Sequence, residues 1–405
     1  MAARRNTKRE FLFVSRVIGK HLPMNPLTLN LIGGILARGW LEERENIFLE
    51  ETQVLVNNLN YLQGRKIGQP VETSILESTI EILKHPIKLK HKTLFIGFAE
   101  TATGLAHAVF NSFSNSTYVH TTREDIKNIE ASILFKEEHS HATDHQLYPN
   151  DPNIFLEHED IVLIDDEITT GKTALNLINK IEGNSFGVIS LLDFREEEQE
   201  HNFYNCKGKD IKLCSLIKGT IRLKKTGELD LVDKMESYLV KKEVSFTEVR
   251  INKGTFNDGY IMETGRFGCT SQMHKEFMLE VKDIGAKLKK IRVDDNCLCI
   301  GTEEFIYIPC VISSEMGSKV SFQSTTRSPI YARSLQSYGI NNKITFKTTE
   351  DLETPKYLYN IPYGFYKQAF MFTEKPLEED KKVEFAQIFN HYNIKNIVFV
   401  SFELK

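Results

Sequence analysis

Ile161-Val162-Leu163-Ile164-Asp165-Asp166-Glu167-Ile168-Thr169-Thr170-Gly171-Lys172-Thr173 is the stretch on which the reading of this chain turns. It opens with a short apolar run, the mark of a strand buried on both faces. Two carboxylates, Asp165 and Asp166, close the run. A hydroxyl-rich turn follows, and then Ala174 to Ile181 carries Leu175, Leu177, Ile178 and Ile181 at helical spacing, with Gly183 as a stop. Strand, acidic pair, tight turn and helix start together predict a phosphosugar site. The turn's N–H groups and the helix start attract a phosphate, Gly171 lets the backbone approach closely, and the carboxylates accept hydrogen bonds from sugar hydroxyls.

Thr170-Gly171-Lys172-Thr173 also looks like the end of a P-loop. That loop needs a glycine five residues before its last glycine, where this chain has Asp166. A carboxylate there repels the phosphate, so the nucleoside-triphosphate reading fails on charge as well as on pattern.

Outward from this stretch, strand and helix alternate. Leu94 to Glu100 reads as a buried strand running into a turn, Gly104 to Phe110 as a helix start, and Ser116 to His120 as a second strand ending at Thr121-Thr122-Arg123-Glu124. Phe186 to Phe194 is a further strand, and Ile211 to Leu223 one or two more. Asn25 to Ile47 has a helical stripe, residues 11–18 are buried in either helix or strand, and the polar residues 136–160 read as a long loop. The alternation predicts an α/β fold, a mostly parallel sheet with helices on both faces, with ligands at the carboxyl ends of its strands. Glu100, Arg123, Asp165 and Asp166 all fall at such ends.

A second pattern lies 204 residues downstream. Leu298-Cys299-Ile300-Gly301-Thr302-Glu303-Glu304 repeats Leu94 to Glu100, and Thr325-Thr326-Arg327 repeats Thr121-Thr122-Arg123 in the same register. Two related strand-helix-strand units are expected, the later one a smaller α/β unit without the acidic pair and its turn. The charge-rich residues 224–252 join the halves, giving domains 1–245 and 246–405.

The 405 residues are 41% hydrophobic and 26% charged, with a net charge of −4, as in ordinary soluble proteins. No extended basic run favours a nucleic-acid partner, and no apolar stretch reaches membrane-spanning length. Phe11 to Ile18 follows basic residues but is interrupted by Arg16, so no signal peptide is expected. The six cysteines form no zinc-like pair and read as reduced, buried thiols of a cytoplasmic protein.

Phe11 to Pro23, the Glu100 turn, Thr121 to Glu124, Glu138-His139-Ser140-His141-Ala142 and the opening stretch resemble the type I phosphoribosyltransferases of bacterial tellurite-resistance and stress gene clusters. Thr326-Arg327-Ser328-Pro329 and Gly265-Arg266-Phe267-Gly268 resemble the TRSP domain that follows that enzyme. The resemblance implies a type I phosphoribosyltransferase fold and a phosphoribosyl pyrophosphate (PRPP) substrate. It implies Mg²⁺ carried with PRPP, a small-molecule acceptor, and a chain compatible with a homodimer. Asp165 and Asp166 would hold ribose hydroxyls or a metal-bound water. Thr169, Thr170, Gly171, Lys172 and Thr173 would hold the 5′-phosphate. Glu100, Thr101, Ala102 and Gly104 stand where such enzymes place their pyrophosphate loop, with Arg123 as a pyrophosphate clamp. His141, in the His139 to His145 loop, is a candidate acid, base or substrate contact on a closing loop, or with its neighbours a metal ligand. In the second half Arg266, Glu304, Thr326, Arg327 and Ser328 are candidates for an anion site or a domain interface. A regulator that senses PRPP without turnover is the alternative, and it lacks a recognisable DNA-binding module.

Overall fold

The computed structural model describes residues 1–3, 11–135, 145–206, 208–222, 244–257, 259–293, 295–335, 337–346 and 355–403. Helix α1 (Leu27–Glu45) precedes the first sheet, whose strands are β1 (Ile87–Gly97), β2 (Phe113–His120), β3 (Asp160–Ile168), β4 (Ser185–Asp193) and β5 (Asp210–Lys218). They run parallel in the order β2-β1-β3-β4-β5, and a two-residue strand, Cys269–Thr270, pairs antiparallel on the β2 edge. Helix α2 (Ala102–Phe110) connects β1 to β2, and α3 (Lys172–Ile178) follows β3. The fold class is the expected one, and of the one or two strands expected from Ile211 onward the described residues form one, Asp210–Lys218.

The second sheet contains β6 (Thr247–Asn252), β7 (Cys297–Gly301), β8 (Val320–Ser324), β9 (Gln368–Phe372) and β10 (Asn396–Glu403), all parallel, in the order β8-β7-β9-β10-β6. Its helices are α4 (Ser271–Lys290), α5 (Tyr307–Glu315) and α6 (Glu379–His391). With β7 set beside β1, the order matches that of the first sheet. The difference is that the fifth position is filled by β6, which comes before the other four in the chain.

Alternation along the strands explains their apolar runs. Leu94, Ile96 and Leu163 pack with Leu177 and Phe203 on one face of the first sheet. Phe95, Val162 and Ile164 turn to the other face, into a core that also holds Leu36, Trp40, Cys297, Cys299 and Phe370. One continuous core, containing residues of α1, α2, α4 and α5, therefore joins the two sheets. Gly104 lets the helices meet there, since a Cβ on it would lie 2.5 Å from the Ile306 side chain. Cys297 and Cys299 share a face, as their alternation predicts, and all six cysteines are unpaired thiols.

The chain before α1 is held by the second half. Met24 exchanges backbone hydrogen bonds with Phe322 (2.9 and 2.8 Å), and Ser324 donates to the Gly19 carbonyl at 2.7 Å. Within residues 136–160, read above as loop, His145–Leu147 is a short strand paired antiparallel with Ile133–Phe135. Among the described residues no helix is long and apolar enough to cross a membrane.

Candidate active site

β1 ends at Gly97, opposite Ile164, while β3 continues beside β4 to Ile168 opposite Asp193. Asp165, Asp166 and Glu167 thus overhang the end of β1. This is where the strand order reverses, and the chain after β1 leaves on one face while the chain after β3 leaves on the other. Such a point opens a crevice at the carboxyl ends of a parallel sheet. A cleft of about 250 Å³ lies here, lined among others by Glu100, Thr101, Arg123, Asp165, Asp166 and the Thr169 to Gly171 turn.

The turn is tight and closely packed. Gly171 adopts φ +76° and ψ −1°, the left-handed conformation that glycine takes without a Cβ penalty. A Cβ there would lie 2.7 Å from the ring of Phe203. The Thr170 hydroxyl accepts a hydrogen bond from the Lys172 amide at 3.3 Å, and Thr173 lines the cleft. Lys172 starts α3 with its side chain exposed and does not itself line the cleft. Asp165 accepts from the Asp166 amide at 2.9 Å. Burial, with Glu167 next to it, pushes the Asp166 carboxyl up to about 6.

Glu100 follows a cis Ala99–Glu100 peptide and lines the cleft. Its carboxylate is ion-paired with Lys20, whose side chain is only 2% exposed. Burial opposes ionisation of Glu100, but Lys20, with Arg327 and Lys356 further off, outweighs it and holds the carboxyl below its ordinary range. Thr101 also lines the cleft, whereas Ala102 and Gly104 do not. Ala102 and Gly104 are buried in the first turn of α2, Gly104 against Ile306.

Arg123 enters the cleft from the loop after β2. Its amide donates to Glu304 Oε1 at 3.0 Å, and its guanidinium lies 3.3 Å from His145 Nε2. His145 is itself buried, 2.9 Å from the Thr121 hydroxyl and stacked on Phe135 at 4.9 Å between centroids. Of the histidine loop, His141 lies outside the described residues, and His145 is the member that lines the cleft. Among the described residues no cluster of three or more His, Cys, Asp or Glu side chains is arranged to hold a metal ion.

Thr326, Arg327 and Ser328 line this same cleft from the second half. Arg327 donates through Nε to Glu303 at 2.7 Å, and Lys356 Nζ lies 2.9 Å from the other Glu303 oxygen. Arg266 and Glu304 are elsewhere. Arg266 is 2% exposed, donates to Thr122 and Glu304 at 2.8 Å and to Glu374 at 3.0 Å, and sits over the Tyr260 ring. It ties the halves together, so of the two readings given for it the interface is the one its contacts fit. Burial opposes the Glu304 carboxylate, but Arg266 outweighs it and the carboxyl falls well below its ordinary range. Both residues border a smaller cleft of about 90 Å³ near the ends of β7 and β9. Lys20, His145 and Glu303 fell within segments singled out above without being named for these roles, and Lys356 fell in none. Each acts through a partner remote in the chain.

A parallel sheet of this order, with an acidic pair and a hydroxyl-glycine turn at its switch point, belongs to the phosphoribosyltransferase class of α/β folds. Residues 1–220 match the family described as Phosphoribosyl transferase, and the chain belongs to that family. Residues 263–389 match the TRSP domain found C-terminal to it. No curated protein matches the chain. Among solved structures, it is similar to adenine phosphoribosyltransferase from Trypanosoma brucei in complex with AMP, pyrophosphate and ribose 5-phosphate (15% identity over 36% of this chain and 68% of that one, TM-score 0.22). It is also similar to the adenine phosphoribosyltransferase of Leishmania tarentolae (16%, 36% and 75%, TM-score 0.23). A hypoxanthine phosphoribosyltransferase from Staphylococcus aureus covers more of this chain (11%, 50% and 79%, TM-score 0.19). Likenesses this remote add nothing to the family match.

Proposed function

We propose that the chain is a PRPP-using phosphoribosyltransferase with its site in the larger cleft. The observation that carries this reading is the convergence of Asp165-Asp166, the Thr169 to Thr173 turn, Glu100-Thr101 and Arg123 on one crevice. The turn's amides and hydroxyls hold the 5′-phosphate. Asp165 and Asp166 accept hydrogen bonds from the ribose 2′- and 3′-hydroxyls, and Arg123 faces the pyrophosphate.

The reaction is displacement at C1. The bond from C1 to the pyrophosphate oxygen breaks, the pyrophosphate leaves with its electron pair, and an acceptor atom bonds to C1 through an oxocarbenium-like transition state. The reverse direction uses the same contacts. The protein's part is positioning and electrostatics. Hard carboxylate oxygens at Asp165 and Asp166 suit Mg²⁺, which would reach them through water while PRPP supplies most of its ligands. Bound there, the ion would neutralise charge on the departing pyrophosphate. The acceptor is a small molecule, and a place in a bacterial stress or tellurite-resistance response is supported by the sequence resemblance alone. The test is incubation with PRPP, Mg²⁺ and a bacterial metabolite extract, followed by mass spectrometry for a PRPP-dependent product. PRPP binding without any product would favour the regulatory alternative, and no PRPP binding would overturn both.

A further inference from the structure

The likeness of the two halves extends to individual hydrogen bonds. Thr121 donates its amide to the Gly97 carbonyl at 2.9 Å, and Thr325 donates to Gly301 at the same distance. The Thr121 hydroxyl accepts from Ala99 N at 2.8 Å, and the Thr325 hydroxyl accepts from Glu303 N at 2.8 Å. The Thr122 hydroxyl accepts from Glu124 N at 3.1 Å, and the Thr326 hydroxyl accepts from Ser328 N at 3.0 Å. Every one of these pairs is separated by the same 204 residues.

The contacts that cross between the halves are reciprocal as well. The Arg123 amide donates to Glu304 at 3.0 Å, and the Arg327 amide donates to Glu100 at 3.4 Å. Met24, ahead of α1, pairs with Phe322 on β8, while Cys269, ahead of α4, pairs with Tyr118 on β2. Lys20, after Gly19, pairs with Glu100, and Arg266, after Gly265, pairs with Glu304. The halves thus meet about a pseudo-two-fold axis: Thr326-Arg327-Ser328 line the first half's cleft, and Glu124, next to Arg123, borders the second half's.

The symmetry fails at the phosphosugar elements. Gly97 aligns with Ile164 and Gly301 with Phe372, which sets Thr373-Glu374 where Asp165-Asp166 stand. The turn's place is then taken by Leu377-Glu378-Glu379-Asp380, whose charges repel a phosphate. The second half has lost the turn and kept the loop that faces the first half's cleft.

We propose that Arg327 is a pyrophosphate-binding residue of the first cleft, so that the second half completes the site. The proposal rests on the PRPP reading given above. Arg123 and Arg327 are the arginines among the described residues lining that cleft. Arg327 is hydrogen-bonded through its amide to Glu100, next to Thr101. Lys20, Glu100, Arg327, Glu303 and Lys356 alternate in sign and sum to one net positive charge, because Glu303 is shared between Arg327 and Lys356. The Arg327 side chain remains 21% exposed, and it has a fork geometry suited to phosphate oxygens.

The test uses full-length protein and calorimetry with three probes in the presence of Mg²⁺: PRPP, inorganic pyrophosphate and ribose 5-phosphate. Arg327→Ala is expected to weaken PRPP and pyrophosphate by about tenfold or more and to leave ribose 5-phosphate within about twofold. Arg327→Lys, which keeps the charge and is the milder change should the alanine variant not fold, is expected to recover part of the loss. Unchanged PRPP and pyrophosphate affinity in both variants would overturn the proposal. So would an equal loss for pyrophosphate and ribose 5-phosphate, the pattern of a disturbed interface. Wild-type protein that binds no PRPP would instead remove the reading on which the proposal stands.

Discussion

Gly171→Ala separates two forces that the turn combines. At φ +76° an alanine meets the Cβ–carbonyl clash of the left-handed region, at a cost of about 1–2 kcal/mol. Its methyl would also lie 2.7 and 3.1 Å from two ring carbons of Phe203. That ring is wholly buried beneath the Arg195 guanidinium, 4.5 Å away, and has little room to yield. Overpacking of this kind costs about 1–3 kcal/mol. If the turn keeps its shape, the variant should therefore lose about 2–5 kcal/mol of stability, read from denaturant midpoints. If the turn relaxes instead, the phosphate-facing amides move and the loss appears in PRPP affinity by calorimetry. Phe203→Leu supplies the control. Measured against Phe203→Leu alone, the glycine replacement should cost only the backbone part. A Gly171→Ala protein with unchanged midpoint and unchanged PRPP affinity would refute both the strained geometry and the phosphate role.

Three further outcomes are expected. Asp165→Asn with Asp166→Asn removes charged acceptors contributing ~1.5–3 kcal/mol each, so PRPP affinity should fall tenfold or more, and a folded double mutant that binds normally would sink the assignment. Burial is the chief cause that raises the Asp166 carboxyl to about 6 from its ordinary 3.8. The stability its protonated form contributes is therefore present below pH 4 and lost as pH rises through about 6. Melting temperatures of ligand-free wild type should decline more steeply from pH 4 to 7 than those of Asp166→Asn, and parallel curves would contradict this. Arg266→Ala leaves Glu304 and Glu374 buried without their cation, and truncating one partner of a buried pair costs about 3–5 kcal/mol, so a denaturation midpoint close to wild type would show that the interface does not depend on it.

What could be read from the sequence was what one stretch of chain holds by itself. β1, β3 and β4 are buried on both faces, so their apolar runs marked them. The acids and the turn are contiguous, so the spacing alone put them at one strand end. Ala102, Gly104 and Lys172 belong to the same contiguous motifs, but the sequence did not show that the first two would be buried in a helix turn and the third exposed beside the cleft. β6 escaped notice because it is an edge strand whose residues are mostly exposed and polar. Lys20 and His145 lay inside segments that the sequence singled out, but their roles were not legible, since a buried lysine is recognisable only beside its carboxylate and a histidine only beside the threonine and arginine it touches.

The register of the two Thr-Thr-Arg loops was legible too, but their purpose depends on geometry that no repeat length conveys. A repeat is compatible with two independent units joined by a linker, each with its own core. The packing here excludes that arrangement, because one apolar core contains Phe95 and Val162 together with Cys299 and Phe370. The segment before α1 is hydrogen-bonded to β8, and the segment before α4 to β2. Separating the halves would therefore strip a backbone partner from an edge of each sheet and leave Glu100 and Glu304 without the amides that reach them. Buried polar groups left without partners cost about 1–3 kcal/mol each, more when charged. The second half is held against the cleft by these terms whether or not it keeps a ligand of its own, so a unit without the acidic pair and its turn still has a physical reason to stay packed beside the unit that has them.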